Sequence, residues 1–243
     1  MSINWFGVFD AVCNRANGAL EWGLPEPWVH AELHAELKRN ENSSGWKPIP
    51  KEVPYVTFYP VCLPRKTNRD WKSVGAVKWA DLCLHHEQEN AWCWFEFKVR
   101  HTGEPDRQRQ AANEARDAFR KDVIGLVGFD RISTAKSWEQ PDNSTGAYWF
   151  EPLLKPKAPA IRSGKHSFVA AYLQLYGQLD PKVWDEEIFR REIALWFAYR
   201  KKHSRRIGNL PNIGIIFSSH LLAKNHSLLI CEWTQEIRDD SQP

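Results

Sequence analysis

Hydrophobic residues are concentrated in two short segments between residues 79 and 99, separated by a run of polar residues, and this pattern predicts a β-hairpin. The two strands span residues 79–84 and 92–99, and the polar residues between them suit a loop of ordinary hairpin length. Successive side chains of a strand point to opposite faces. One face of the second strand therefore carries Trp94, Glu96 and Lys98. The other face, which we expect to be the core side, carries Phe95, Phe97 and Val99.

The position of the turn decides which residues face each other across the hairpin. If the turn is centred between Gln88 and Glu89, Asp81 lies directly opposite Glu96, with Cβ atoms roughly 4.5–5.5 Å apart. Two carboxylates placed in this way repel each other, whereas a bound divalent cation would make the same arrangement favourable. Lys98 completes an Asp…Glu-x-Lys pattern. A register shifted by one residue would send Asp81 to the opposite face.

Periodicity predicts further elements on both sides of the hairpin. Helices are expected over residues 3–20, 28–39, 105–123 and 181–202. Strands are expected over residues 53–63, 73–85, 91–100, 148–154, 168–176, 213–217 and 228–233. We expect Pro25 and Pro27 to interrupt the chain before the second helix and residues 40–50 to form a loop, while residues 123–129 fit a helix or a strand equally well. This mixture of helices and strands predicts an α/β (α+β) protein.

The pattern of Asp81, Glu96 and Lys98 on a hydrophobic hairpin resembles the active site of the PD-(D/E)XK nuclease superfamily, which has the restriction-endonuclease-like fold. The resemblance covers about residues 28–125, and the Pro-Asp pair of the family name is absent because Ala80 precedes Asp81. It implies an αβββαβ core with a mixed central sheet flanked by helices, followed by a C-terminal helix and strands. Residues 1–243 would form one nuclease-like domain, with a C-terminal elaboration over about residues 146–243.

The resemblance also implies a nuclease that uses Mg²⁺ or Mn²⁺ to hydrolyse phosphodiester bonds, in DNA rather than in RNA. Asp81 and Glu96 would bind the metal ion, since Mg²⁺ prefers hard oxygen ligands and keeps several waters. Lys98 would contact the attacking water or the scissile phosphate. Many relatives carry a further acidic residue on the helix before the sheet. Glu32 and Glu36 are the candidates, and Glu36 is preferred because it lies one turn nearer the strands.

These residues also fit other interpretations. Asp81, Glu96 and Lys98 fit an exposed sheet face on which the lysine neutralises one carboxylate, a pairing worth less than about 1 kcal/mol. Glu32 or Glu36 fits a solvent-facing glutamate that pairs with a basic residue one turn away. The chain as a whole fits a non-catalytic module that binds nucleic acid or another protein. His30 and His34 have the i, i+4 spacing of helical zinc ligands, but ordinary surface histidines are the favoured interpretation.

Two basic stretches of the chain are candidates for contact with a phosphate backbone. The net charge of +3 is compatible with nucleic-acid binding but does not require it. One stretch follows the hairpin and the other ends the helix predicted at 181–202, and each also fits a solvated surface. The candidate residues are Arg107, Arg109, Arg200, Lys201, Lys202, Arg205 and Arg206. A homodimer would suit cleavage of both strands of a DNA duplex.

Composition narrows the class of protein. Of the 243 residues, 42% are hydrophobic and 26% are charged, as in globular proteins. The five cysteines lack C-x-x-C spacing, which favours buried reduced thiols in a cytoplasmic protein. We expect neither a secretory signal nor a membrane span, because the longest apolar runs are about six residues. The chain lacks the P-loop, dinucleotide-binding glycine, kinase and Gly-x-Ser-x-Gly motifs, which argues against motors, dehydrogenases and serine hydrolases.

Overall fold

The structure is a computed structural model that describes residues 3–15, 25–49, 53–60, 73–101, 108–132, 164–191, 194, 216–222 and 225–237. Its helices are α1 (Trp5–Arg15), α2 (Pro25–Arg39), α3 (Glu41–Ser44) and α4 (Gln108–Val127). Its strands are β1 (Lys47–Pro48), β2 (Val53–Pro60), β3 (Ser73–Ala80), β4 (Leu82–His86), β5 (Ala91–His101), β6 (Phe129–Ile132), β7 (Gly164–Leu175), β8 (Ile216–Leu222) and β9 (His226–Ile237). Residues 186–191 are also helical.

The described strands form two sheets. The larger has six strands in the order β1-β4-β5-β7-β9-β8, and the smaller has three in the order β3-β2-β6. Strands β5 and β7 pair in parallel, and the other paired strands are antiparallel. A parallel pair requires a crossover connection, and α4, which lies between β5 and β7 in the chain, packs against both. The predicted mixed α/β class is confirmed.

Both faces of the larger sheet are covered. On one face, Phe95 of β5 packs with Phe9 of α1 and the rest of the α1 and α2 core. On the other face, Trp94 packs with Phe119 of α4 and Phe129 of the smaller sheet. The alternation predicted for residues 92–99 is therefore confirmed, but both of its faces are core faces. Central strands of a sheet covered on two sides are buried in this way.

Most helix boundaries differ from the predicted ones for local reasons. The break expected at Pro25–Pro27 is wrong, because α2 begins at Pro25. Proline is tolerated in the first helical turn, where the backbone N–H groups have no intrahelical acceptor. The helix expected from Pro181 instead starts after Asp185, whose Oδ1 accepts hydrogen bonds from the backbone N–H groups of Glu187 and Ile188. Its predicted end, beyond residue 194, lies outside the described residues.

Several other segments were assigned only partly correctly from the sequence. The loop expected over residues 40–50 contains α3 and β1, and residues 123–127 continue α4 before Phe129 begins β6. The strands β7 and β9 occur where strands were expected, although both are longer. The strand β8 overlaps the one expected at 213–217 only at residues 216 and 217 and continues to Leu222, and residues 213–215 lie outside the described part of the chain. The strand expected at 148–154 lies outside the described part of the chain. None of the described helices is both long and apolar enough to cross a membrane.

The predicted hairpin is formed by β4 and β5, with one important difference. Leu82 pairs with Phe95 and His86 with Ala91, so the turn is centred between Gln88 and Glu89 as expected. The continuous strand expected over residues 73–85 is wrong, because the chain bends at Asp81. Ala80, just before the bend, pairs with Val53 in the smaller sheet. The chain therefore passes from one sheet to the other at Asp81.

Four cysteines are free and buried, as expected: Cys13, Cys83, Cys93 and Cys231. Cys83 and Cys93 belong to the clusters on opposite faces of the larger sheet, so they face away from each other despite their proximity on the hairpin. Cys62 lies outside the described residues.

Replacing Phe95 with alanine tests the packing of α1 on the larger sheet. The ring of Phe95 is fully buried and stacks on Trp5 with centroids 4.5 Å apart. We expect Phe95→Ala to lower the free energy of unfolding by about 3–5 kcal/mol, since it leaves a cavity in the core. The matched control Ile188→Ala alters a side chain that is 45% exposed, and should cost less than about 1 kcal/mol. Urea denaturation gives both values, and equal losses would contradict the described packing.

Candidate active site

Asp81 occupies the point where β3 and β4 diverge, and its environment follows from that position. Beyond Phe95, β5 has no β4 residue beside it, so the backbone N–H of Phe97 needs another acceptor. It donates to Oδ2 of Asp81 at 2.8 Å. The Asp81 carbonyl accepts a hydrogen bond of 2.5 Å from Nε2 of His30, whose ring stacks on Phe97. The bend therefore holds the Asp81 carboxylate against the edge of β5.

Glu96 is almost completely buried beside this bend, with 4% of its surface exposed. Its Oε1 accepts a 2.8 Å hydrogen bond from the hydroxyl of Tyr55, a buried residue of β2. Burial raises the pKa of Glu96 well above its usual range, and the negative charges of Asp81 and Asp122 raise it further. Lys78 and Tyr55 act in the opposite direction without reversing the shift. Burial and the neighbouring carboxylates therefore favour the neutral carboxyl, and the interpretation as an exposed sheet face does not hold for Glu96.

Lys98 lies among carboxylates contributed by three different elements. Its Nζ is 3.5 Å from Oδ2 of Asp122, 3.5 Å from Oε1 of Glu26 and 4.0 Å from Oδ2 of Asp81. It also donates to the backbone carbonyl of Phe97 at 3.1 Å. Burial by itself would lower the pKa of Lys98, but the surrounding carboxylates outweigh it and raise the pKa above its usual value. The side chain is therefore an ammonium at neutral pH.

Asp122 of α4 is a member of this cluster that sequence reasoning missed. It is 7% exposed, and its Oδ1 is 3.5 Å from Nζ of Lys78 on β3. Burial raises its pKa, against the opposing effect of Lys98 and Lys78. The sequence does carry a signal for it. Asp122 follows Ala115 and Phe119 at helical spacing, so a lone carboxylate lies on the buried stripe of α4.

Three other residues of the site were also missed. Tyr55 and Lys78 come from β2 and β3, so their proximity depends on how the smaller sheet packs against the larger one. Glu26 comes from the first turn of α2. The sequence pattern assigned that segment to a break in the chain, so it offered no reason to place Glu26 beside Lys98.

Glu36 and Glu32, the acidic residues proposed from the sequence, lie in a different environment. Glu36 is paired with Arg15 at 2.7 Å and with Arg39, one turn later, at 3.0 Å. Burial would raise the pKa of Glu36, but hydrogen bonds from Arg39, Asn40 and Arg15 lower it. Glu32 pairs with Arg15 at 3.3 Å. The structure thus brings Glu26, rather than Glu36, to Lys98, and Glu36 matches the alternative of pairing with a basic residue one turn away.

The oxygen atoms around the bend are of the kind that Mg²⁺ prefers. Oδ2 of Asp122 is buried and receives no hydrogen bond, and Nζ of Lys98 lies 3.5 Å from it. Asp81 and Glu96 supply further oxygen atoms nearby. Within the described residues, however, no three His, Cys, Asp or Glu side chains stand close enough together to hold a metal ion. The residues therefore fit a cation that keeps several waters, and do not form a complete protein cage.

The structure describes only some of the remaining residues proposed from the sequence. Nε2 of His34 is buried without a hydrogen bond, and His30 contacts the Asp81 backbone rather than acting as half of a zinc pair. Arg109 lies in the first turn of α4. The other candidates for nucleic-acid contact lie outside the described residues: Arg107, Arg200, Lys201, Lys202, Arg205 and Arg206.

The chain was compared with protein-family models, with curated proteins and with solved structures, and none of the three comparisons finds a match.

The raised pKa of Glu96 gives a stability that depends on pH in a defined direction. A group whose pKa is raised by folding stabilises the fold below its unfolded pKa, and this stability is lost as pH rises through the folded pKa. Glu96→Gln cannot ionise. Its unfolding free energy relative to wild type should therefore increase as pH rises above about 4.3, by at most about 1.4 kcal/mol per pH unit.

Denaturation at a series of pH values measures this difference. The control Glu187→Gln changes an exposed side chain and should show no comparable trend. A difference between Glu96→Gln and wild type that does not change with pH would show that the Glu96 carboxyl ionises as it does in the unfolded chain.

Proposed function

We propose that this protein is a metal-dependent nuclease of the PD-(D/E)XK type, which hydrolyses phosphodiester bonds in DNA rather than in RNA. The observation that carries the proposal is the convergence of Asp81, Glu96 and Lys98 at the bend beside β5, where Asp122 adds a third carboxylate. The order of α2, β2, the bent segment β3–β4, β5, α4 and β7 along the chain is compatible with the αβββαβ core, although β2 and β3 belong to the smaller sheet.

The buried carboxyls explain why a cation would bind here. Burial and two neighbouring carboxylates raise the pKa of Glu96, and a nearby divalent cation would favour the charged form of its carboxyl. Asp81 and Glu96 are the residues that would hold Mg²⁺ or Mn²⁺, with waters completing the coordination of the ion. When bound, the ion would neutralise charge on the phosphate and lower the pKa of a bound water.

The protein's own groups then have distinct roles. Asp81 is oriented by the Phe97 N–H, and Glu96 by the Tyr55 hydroxyl, so both carboxylates are held in position before a ligand arrives. Lys98 remains charged, so it suits stabilising negative charge on a phosphate or orienting the attacking water. It does not suit accepting a proton from that water, because a general base needs a pKa near the working pH.

A second candidate function, a non-catalytic binding module, is favoured by one specific observation. Glu26, Asp81 and Asp122 already surround the Lys98 ammonium. An ion cluster of this kind can serve the fold alone, because its charges compensate one another. Removing one partner would leave an uncompensated charge and destabilise the protein. Such a module would bind nucleic acid in a salt-dependent way without turning it over.

Metal binding should depend on the carboxylates and on pH. We expect Mn²⁺ to bind the wild-type chain with release of about one proton, because the Glu96 carboxyl must ionise. Affinity should then rise with pH, by up to about tenfold per pH unit. Calorimetry in buffers of different ionisation enthalpy measures both the affinity and the proton count.

The variant for this experiment is Asp81→Asn/Glu96→Gln, which should lose Mn²⁺ binding. The matched control Asp117→Asn/Glu187→Gln removes one aspartate and one glutamate from more exposed positions and should bind as wild type does. Equal binding by the two double variants would rule out the proposed metal site.

Cleavage should depend on the Lys98 charge. We expect Lys98→Met to lower metal-dependent cleavage of duplex DNA by about 100-fold or more, the loss typical of removing one electrostatic group from an active site. Lys182→Met, which alters an exposed lysine, is the matched control. The assay follows fragments of labelled DNA and RNA with Mg²⁺ or Mn²⁺. Salt-dependent DNA binding by wild type with no cleavage would favour the non-catalytic module instead.

A further inference from the structure

The two edges of the six-stranded sheet differ in how they are protected. β1, at one edge, has two residues, an exposed lysine and a proline, Lys47 and Pro48. Short length, lysine and proline are features by which proteins prevent an edge strand from pairing with another chain. β8, at the other edge, has seven residues and contains neither a charged side chain nor a proline. Among the described strands, none lies beside its outer edge.

Large hydrophobic side chains are exposed along the unprotected edge. Ile216 is 55% exposed and Leu221 is 59% exposed, the highest values among the large hydrophobic residues described. Phe6 of α1 is 40% exposed and packs on His220 of β8, with ring centroids 4.9 Å apart. An edge strand with unpaired backbone groups and exposed apolar side chains is a template for another strand.

The sequence of β8 is complementary to itself when read in the opposite direction. It runs Ile-Phe-Ser-Ser-His-Leu-Leu, with apolar residues at both ends and polar residues in the middle. In antiparallel pairing of two copies centred on Ser219, Ile216 faces the partner's Leu222 and Leu221 faces the partner's Phe217. Ser219 faces the partner's Ser219. A two-fold symmetric interface requires this kind of self-complementarity.

The same pairing places an apolar side chain of the partner beside each of the two exposed hydrophobic residues of β8, Ile216 and Leu221. Phe217 and Leu222 are buried residues of the two cores, on opposite faces of the sheet. Leu221, exposed on the face of Phe217, would lie beside the partner's Phe217. Ile216, exposed on the face of Leu222, would lie beside the partner's Leu222. Directly opposed side chains of paired strands are close enough to exclude water from each other.

We propose that two copies of this chain associate through β8, pairing antiparallel about Ser219 and joining their six-stranded sheets into one continuous sheet. Backbone hydrogen bonds along the strand and contact between the exposed apolar residues would stabilise the dimer. The proposal uses the edge opposite β1 and does not depend on the chemistry proposed for Asp81, Glu96 and Lys98.

Sedimentation velocity over a range of protein concentrations tests the association. We expect the wild-type chain to dimerise reversibly. Ser219→Lys would place two lysines opposite each other across the symmetry axis and should raise the dissociation constant at least about tenfold. The control Ser43→Lys puts the same charge on α3, an exposed site away from β8, and should leave the constant unchanged. Circular dichroism establishes that both variants are folded.

A cross-linking experiment tests the register. The two Ser219 residues would face each other at a Cα separation of about 4.5–5.5 Å, a distance that a disulfide can span. Under mild oxidation Ser219→Cys should form a covalent dimer, well above the levels seen with wild type and with Ser43→Cys. A wild-type chain that stays monomeric at all concentrations overturns the proposal. So does a dimer that neither Ser219→Lys weakens nor Ser219→Cys links.

Discussion

The passage of the chain from one sheet to the other at Asp81 is the constraint on which the candidate site depends. β3 belongs to the smaller sheet and β4 to the larger, so one residue must bend between them. The bend removes a strand partner from β5 beyond Phe95, and the Asp81 carboxylate accepts the N–H of Phe97 in its place. A backbone group that needed an acceptor has thereby fixed the position of an acidic side chain.

The same bend explains how residues distant in the chain come together. β3 belongs to the smaller sheet, where Lys78 pairs with Tyr55 of β2. Tyr55 therefore reaches Glu96 of β5, and Lys78 reaches Asp122 of α4. Asp122 then reaches the cluster from the buried stripe of that helix. Apart from Glu96 and Lys98, which share β5, the acidic and basic groups come from different parts of the chain, so the cluster exists only when the two sheets and α4 are packed together.

The environment of the cluster raises the pKa values of both Glu96 and Lys98, with different consequences for their charge. Burial and two nearby carboxylates raise the pKa of Glu96 and favour its neutral form, whereas the carboxylates around Lys98 raise its pKa and hold it in its charged form. Burying this many ionisable groups costs free energy that a hydrophobic core would not cost. Ionisable groups with shifted pKa values often cluster at functional sites, and they also occur in structural ion clusters. The aromatic packing on both faces of the larger sheet supplies the stability against which this cost is set.

The sequence by itself predicted the hairpin, and the structure has the register expected for a turn centred between Gln88 and Glu89, although the sequence also allowed a register shifted by one residue. It also identified Asp81, Glu96 and Lys98 as neighbours. Only the tertiary structure decided that the strand bends at Asp81, that Glu26 rather than Glu36 reaches Lys98, and that Asp122, Lys78 and Tyr55 complete the cluster. Local periodicity reports which face of an element is buried, whereas these contacts depend on how separate elements pack, and no pattern within one element contains that information.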